Sequence, residues 1–278
     1  MARVPLPQSK LRARRRIARV RITIALGVLV VLLLGILVGL SWIPYGRITT
    51  VIIAGVETVA SSSVEVLVKE KISGTYFFTF PKNNIFLYPK KQIVAELLAT
   101  YPAAKDITVH AENFQAIKVE VVERHPAALW CGENTASQAA CMLMDENGFA
   151  YAPAANFSGD AYFSYYGSAT SSVGYLAEPT PKQFLTEEQF RSLAALAKAF
   201  ADNQTHTRIT RVVVDPNDDV HLSFANGFTV LFVLVSRGGD VFERFTLALA
   251  SAPFLTRLVS DFEYLDLRFG DKLYYRLK

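Results

Sequence analysis

The sequence holds few of the side chains that do chemistry, with two cysteines, four histidines and three methionines in 278 residues. His110, His125, His206 and His221 lie far apart, with no HxH or HxxxH spacing and no nearby cysteine, so no zinc site is expected. Neither a GxSxG elbow nor an S-x-x-K motif occurs, which removes the usual serine acyl-enzyme signatures. A glycine-rich phosphate loop is missing too, because Arg237-Gly238-Gly239-Asp240 reads as a turn entering a helix. Asp145-Glu146 and Asp218-Asp219 fall in expected turns, where carboxylates commonly cap backbone N–H groups. No catalytic, cofactor-binding or metal-ligating set is therefore expected, and no small-molecule substrate. Acidic residues are absent before Glu57, whereas residues 1–21 hold eight Lys or Arg. The remaining chain has 29 − 8 = 21 basic against 25 acidic side chains, so its body gives no bulk electrostatic case for nucleic acid. With 51% hydrophobic and only 19% charged residues, the disorder-prone class is excluded as well.

What the sequence does contain is one long apolar run. Ile22 to Leu40 is uncharged, and Thr23 is its only polar side chain. At 1.5 Å per residue it spans about 28 Å, close to the hydrocarbon thickness of a bilayer. Trp42 and Tyr45 follow where interfacial aromatics anchor a helix exit, and Pro44 stops the helix. Arg12, Arg14, Arg15, Arg16, Arg19 and Arg21 precede the run, while Arg47 is the one charge on the other side before Glu57. The positive-inside rule puts the tail in the cytoplasm and the bulk outside. A cleaved signal peptide has a shorter apolar stretch and a small-x-small site, which Gly39-Leu40-Ser41-Trp42 does not supply. The expected organisation is a basic tail over 1–21, a transmembrane helix over 22–42, an α+β module over 47–124 and a β-rich domain over 125–278.

In the first module, Ile48 to Gly55 reads as a strand, and Ser62 with Glu65 as the capping box of a helix carrying Val64, Leu67, Val68 and Ile72. A loop with Gly74, Pro81 and Asn83-Asn84 leads to a helix opened by Pro89 and carrying Ile93, Val94, Leu97 and Leu98. Lys105 to His110 and Ala116 to Glu123 are strands, giving the order β-α-α-β-β. In the second region Ala127 to Cys131 and Cys141 to Asp145 read as strands, with a hairpin turn at Glu146-Asn147-Gly148. Cys131 and Cys141 flank a hairpin outside the membrane. They are either a disulfide closing an eleven-residue loop or two buried thiols. Residues 152–181 read as a surface loop whose aromatics, Phe157, Tyr162, Phe163, Tyr165 and Tyr166, pack down. Thr186 and Gln189 cap a helix with Phe190, Leu193, Leu196, Ala197 and Phe200 on one face. Arg208 to Val214, Val220 to Phe224 and Phe228 to Val235 are strands, the last two joined at Asn226-Gly227. Asp240 with Glu243 caps a helix, and the strands Phe262 to Phe269 and Lys272 to Lys278 follow. In that last pair Leu265, Leu267, Phe269, Leu273, Tyr275 and Leu277 are expected to face the core. If the final strand is also last in its sheet, its outer edge is an open template for another strand.

This arrangement resembles the bacterial cell-division proteins of the FtsQ/DivIB family. The stretches that carry the resemblance are ITTVIIAGVE at 48–57, NNIFLYPKKQIVAELLATYP at 83–102, VEVVERHPAALW at 119–130, LMDENGFAY at 143–151 and FEYLDLRFGDKLYYRLK at 262–278. The Glu-Arg-x-Pro step at Glu123 to Pro126 and Asp-Leu-Arg at Asp266 to Arg268 are the most telling. The resemblance implies that residues 47–124 are a POTRA domain and that the C-terminal domain is built of antiparallel strands with helices. It also implies a scaffold without enzymatic activity, in the cell membrane at the division septum. Its partners would be FtsB- and FtsL-like bitopic proteins, linked to the septal peptidoglycan synthase complex. By position the partner-binding residues are Arg268, Phe269, Gly270, Lys272, Leu273, Tyr274, Tyr275 and Arg276. The alternative is a POTRA-containing exterior adaptor for secretion or envelope assembly.

Overall fold

The computed structural model describes residues 8–133, 141–154, 162–169, 181–202, 207–234, 239–270 and 272–278. Phe157, His206, Val235, Arg237 and Gly238, all named above, lie outside the described residues. The chain divides between Glu123 and Arg124 into two compact units.

A single helix, α1 (Gln8–Ser41), opens the first unit. From Gln8 onward the basic segment expected as a separate tail continues the same helix, because Arg, Leu and Ala are strong helix formers and no Pro intervenes between Gln8 and Arg21. From Arg15 to Ser41 it is long and apolar enough to cross a membrane, and its most apolar stretch is not buried inside the protein. Pro44 starts a short 3₁₀ turn after it.

The remainder of the first unit runs β1 (Thr50–Ala54), α2 (Ser61–Lys71), β2 (Thr75–Tyr76), β3 (Phe80–Pro81), α3 (Lys90–Thr100), β4 (Ala104–Asn113) and β5 (Ala116–Glu123). Its sheet has the order β1-β5-β4, with β5 parallel to β1 and antiparallel to β4. Alternation in β5 buries Ile117, Val119 and Val121, against which Val64 and Val68 of α2 and Ile93 and Leu97 of α3 close the core. The β-α-α-β-β order thus stands, with one addition. The segment expected as a loop between the helices contains the β2–β3 hairpin. The expected capping box does not form. Helix α2 begins two residues earlier with Ala60 at its N-cap, which leaves Ser62 inside the first turn, and Glu65 pairs with Lys69 at 2.6 Å instead.

Glu123 ends β5 with its side chain turned inward, and the residue is only 7% exposed. Oε1 accepts N–H bonds from Glu57 at 2.8 Å and Val59 at 3.1 Å, and Oε2 accepts from Thr58 N at 3.0 Å and from the Thr58 hydroxyl. Burial by itself would raise this carboxyl. The Thr58 hydroxyl and the three backbone N–H groups outweigh burial and hold it at about 2.

In the second unit follow β6 (Ala128–Trp130), β7 (Met142–Met144), β8 (Phe149–Pro153), β9 (Ser164–Tyr166), β10 (Lys182–Gln183), α4 (Glu187–Asp202), β11 (Ile209–Val214), β12 (Asp219–Phe224), β13 (Thr229–Val233), α5 (Gly239–Leu249), β14 (Phe262–Asp266) and β15 (Tyr274–Leu277). All ten strands join one sheet in the order β10-β8-β7-β6-β9-β11-β12-β13-β14-β15. The expectation of antiparallel strands is corrected, since β9 runs parallel to both β6 and β11, and β13 parallel to β14. Helix α4 lays its expected stripe, Phe190, Leu193, Leu196, Ala197 and Phe200, on the core, and α5 adds Val241, Phe245 and Ala248. Thr186 Oγ1 accepts from Gln189 N–H, and Gln189 Oε1 accepts from Thr186 N–H, so this capping box does form. Asp240 lies within the first turn of α5 rather than before it.

The largest departure is β9. The aromatic segment expected as a surface loop places Tyr165 at 1% exposure in a strand between β6 and β11. Its ring meets Phe190 edge-on at 5.3 Å. Leu129 is paired with Ser164 and Val212 with Tyr165, contacts between residues distant in sequence that no local pattern encodes. Cys131 and Cys141 form a disulfide beside β6 and β7. Arg124 forms an ion pair with buried Asp145, whose Oδ1 also accepts from the N–H groups of Asn147 and Phe149 in the β7–β8 turn.

Candidate functional site

The residues singled out at the C-terminal end come together at one margin of the ten-stranded sheet. Strand β15 is its last member, paired on one side with β14 through Leu265↔Tyr275 and Asp266↔Tyr274. Among the described residues no strand occupies its other side. Lys278 N–H donates to Asp261 C=O at 3.0 Å. By the alternation of an extended strand, Arg276 and Tyr274 then also direct their main-chain groups to β14, and those of Tyr275 and Leu277 face outward.

Leu265 and Leu267 are buried as sequence patterning expects, but the buried face expected for β15 is corrected. All four β15 residues are exposed, and Phe269 is more than half exposed beyond the end of β14. The Tyr275 ring meets the stacked pair Phe254 and Phe262 edge-on, at 5.7 Å from each, while its other side stays open. Phe269 and Tyr274 meet edge-on at 5.3 Å. Gly270 turns the chain at φ +56°, and Lys272 N–H donates to Phe269 C=O. Leu273 is half-buried, and with Arg244, Leu247 and Leu267 it lines an open groove of about 320 Å³ between α5 and the start of β15.

Arg268 has a different part. Its Nε and Nη2 grip Asp266 as a fork at 3.0 and 2.7 Å, and Nη1 reaches Asp219 on β12. Asp266, which alternates with the expected core residues Leu265 and Leu267, is itself only 5% exposed. Burial would raise its carboxyl, but the hydrogen bonds and charge of Arg268 hold it below the usual range. The same two carboxylates raise the Arg268 guanidinium further. Arg268 is therefore committed within the unit, fixing the path from β14 toward Phe269, whereas Arg276 pairs with exposed Glu263 at 3.0 Å.

Sequence reasoning missed Arg244, which donates to Leu267 C=O at 2.6 Å, and Leu247, which stands exposed above the groove. The helical spacing of Arg244, Leu247 and Ala248 is the signal that could have placed them on one face with the strand. The remaining candidates for chemistry stay apart, with His110 beside Glu112 at 3.8 Å in the first unit and His221 on β12 in the second. Among the described residues no three His, Cys, Asp or Glu side chains gather as a metal-holding set. The margin therefore offers main-chain donors and acceptors, an aromatic rim and a shallow groove, which suit an extended peptide. No protein-family model and no curated protein matches this chain.

Proposed function

We propose that this chain is a non-enzymatic, single-pass membrane scaffold of the bacterial division machinery, as its resemblance to the FtsQ/DivIB family implies. In this reading the basic end of α1 is cytoplasmic and both folded units lie on the other side of the membrane, at the septum. Residues 47–124 form the POTRA module, and the second unit binds FtsB- and FtsL-like partners and links them to septal peptidoglycan synthesis. The observation that carries the proposal is the open outer side of β15. A partner segment adding there as a further strand would satisfy the outward groups of Tyr275 and Leu277 and draw affinity from the main chain. Phe269, Tyr274 and the groove beside Leu273 would select its side chains.

Proline tests this directly, since it removes one N–H and is tolerated on a sheet edge. Leu277→Pro deletes an outward donor and leaves the β14 ladder intact, and Leu277→Ala removes the side chain alone. Binding of the full chain to the exterior segment of the FtsB-like protein from the same genome should be lost in the first variant and largely kept in the second. Equal binding by Leu277→Pro and the unsubstituted chain, with unfolding temperature unchanged, would refute strand addition.

A further inference from the structure

The tip of the β2–β3 hairpin breaks the usual chemistry of tight turns. Thr79 N–H donates to Tyr76 C=O at 2.9 Å across Phe77 and Phe78, whose φ angles are +48° and +60°. Two successive left-handed residues make the turn that Asn-Gly ordinarily fills, and a bulky side chain there is an outlier. The two rings are 90% and 99% exposed, so core burial does not offset the strained backbone. A pair of phenylalanines kept in so unfavourable a place calls for a use outside the core of this unit.

The hairpin is fastened at the exit of α1. Trp42 Nε1 donates to Thr79 C=O at 2.7 Å, and buried Asn84 donates through Nδ2 to Ser41 C=O at 2.9 Å. Phe86 and Phe114 stand exposed in the same region, with ring centroids 6.5 Å apart. With Leu87 they face Leu37 and Leu40 of α1 across an open apolar groove of about 700 Å³. Leu37 and Leu40 belong to the helix's uncharged run, so the apolar surface of the folded unit continues without a break into the surface expected to face lipid. Two cations accompany these aromatics. The Arg47 guanidinium lies 5.4 Å from the Trp42 ring centroid and the Lys82 ammonium 5.6 Å from that of Tyr76. Aromatic rings with basic side chains beside them are the composition of a bilayer interface, the rings in the acyl boundary and the cations at the phosphates.

We infer that this face docks on the bilayer itself, with Phe77, Phe78, Phe86 and Phe114 seated in the leaflet from which α1 emerges. The inference rests on reading α1 as a membrane-crossing helix. Continuity of the groove with α1 selects lipid as the occupant, because a partner protein would have to displace lipid from Leu37 and Leu40 to fill it. The folded unit would then be held against the membrane rather than hanging from it on a free linker.

The test uses the full chain in phosphatidylcholine/phosphatidylglycerol vesicles, with the photocrosslinker p-benzoylphenylalanine in place of Val31, Phe78 or Phe114. Val31 reports whether α1 is in the bilayer. Lipid adducts at all three positions are expected. Phe77→Asn with Phe78→Gly supplies the turn with its preferred residues, so it should fold at least as well, and it should lower the lipid adduct at 114 without changing that at 31. An adduct at 31 with none at 78 or 114 would overturn the inference while leaving α1 in the membrane. Adducts at 78 or 114 to protein, either a second copy or a partner, would overturn it in favour of a protein interface. No adduct at 31 would remove the membrane reading and this inference together.

Discussion

Replacing Glu123 with glutamine exchanges one oxygen for an NH₂ group in a pocket made of donors. The oxygen kept can still accept from Glu57 and Val59, but the new NH₂ faces Thr58 N–H, donor against donor. The cost can be worked from the carboxylate. A fall from the ordinary 4.5 to about 2 corresponds to about 3 kcal/mol of folding free energy. Because the folded-state value is depressed, this stability is present above pH 4.5 and is lost as the pH falls from about 4.5 to about 2. Hydrogen exchange on the full chain in micelles reads the first unit by itself, through peptides covering 55–60 and 116–123. At neutral pH Glu123→Gln should exchange about a hundredfold faster in both, the equivalent of that free energy. The gap should close on going to pH 2, where the unsubstituted carboxyl also begins to protonate. Rates within a factor of about two of one another at neutral pH, or a gap that persists unchanged in acid, would refute the reasoning.

Three further outcomes are expected. Arg268→Ala leaves buried Asp266 and nearby Asp219 without their cation and should destabilise the second unit by about 3–5 kcal/mol; adding Asp266→Asn should recover part of it in thermal unfolding. Gly55 and Gly74 share φ +79°, but a Cβ at Gly55 would sit 2.1 Å from Val121 C=O whereas at Gly74 it meets open space. Gly55→Ala should therefore cost roughly 2 kcal/mol or more and Gly74→Ala only about 1, read as unfolding temperatures of the first unit. Reducing Cys131–Cys141 opens an eleven-residue loop and should lower the stability of the second unit by about 3 kcal/mol, leaving the first unit's exchange rates unchanged.

Elements whose information is local were legible in the sequence. Helix α4 carries its own cap in Thr186 and Gln189 and its own core stripe, and the β12–β13 hairpin has Asn226-Gly227, with Gly227 at φ +83°. The misreadings share a cause, which is contact supplied from far along the chain. β9 is three residues of Ser and Tyr with no alternation to recognise, and only its neighbours β6 and β11 make it a strand. Ser62 and Glu65 match the capping pattern as well as Thr186 and Gln189 do, but packing of Val64 and Val68 sets where α2 starts. The β2–β3 turn was hidden because Phe77-Phe78 is the opposite of a turn signal. At the candidate site the order of residues was readable and the burial of β15 was not, because Tyr275 and Leu277 alternate like core residues yet stay exposed at the sheet margin.

The position of β9 also governs how the second unit can assemble. Four strands, β10, β8, β7 and β6, lie to one side of it and five, β11 to β15, to the other, so β9 alone joins them. Each side can pair largely through near neighbours, but the seam needs two long chain closures, and such closures are slow. Until the seam is made, β11 and β6 are themselves bare strand edges, and they would compete with β15 for any extended segment nearby. Once β9 is seated, β15 and β10 alone end the sheet among the described residues. If β15 takes up a partner strand as proposed, selective capture there would become possible only after the two halves have met, which would make recruitment a quality check on maturation.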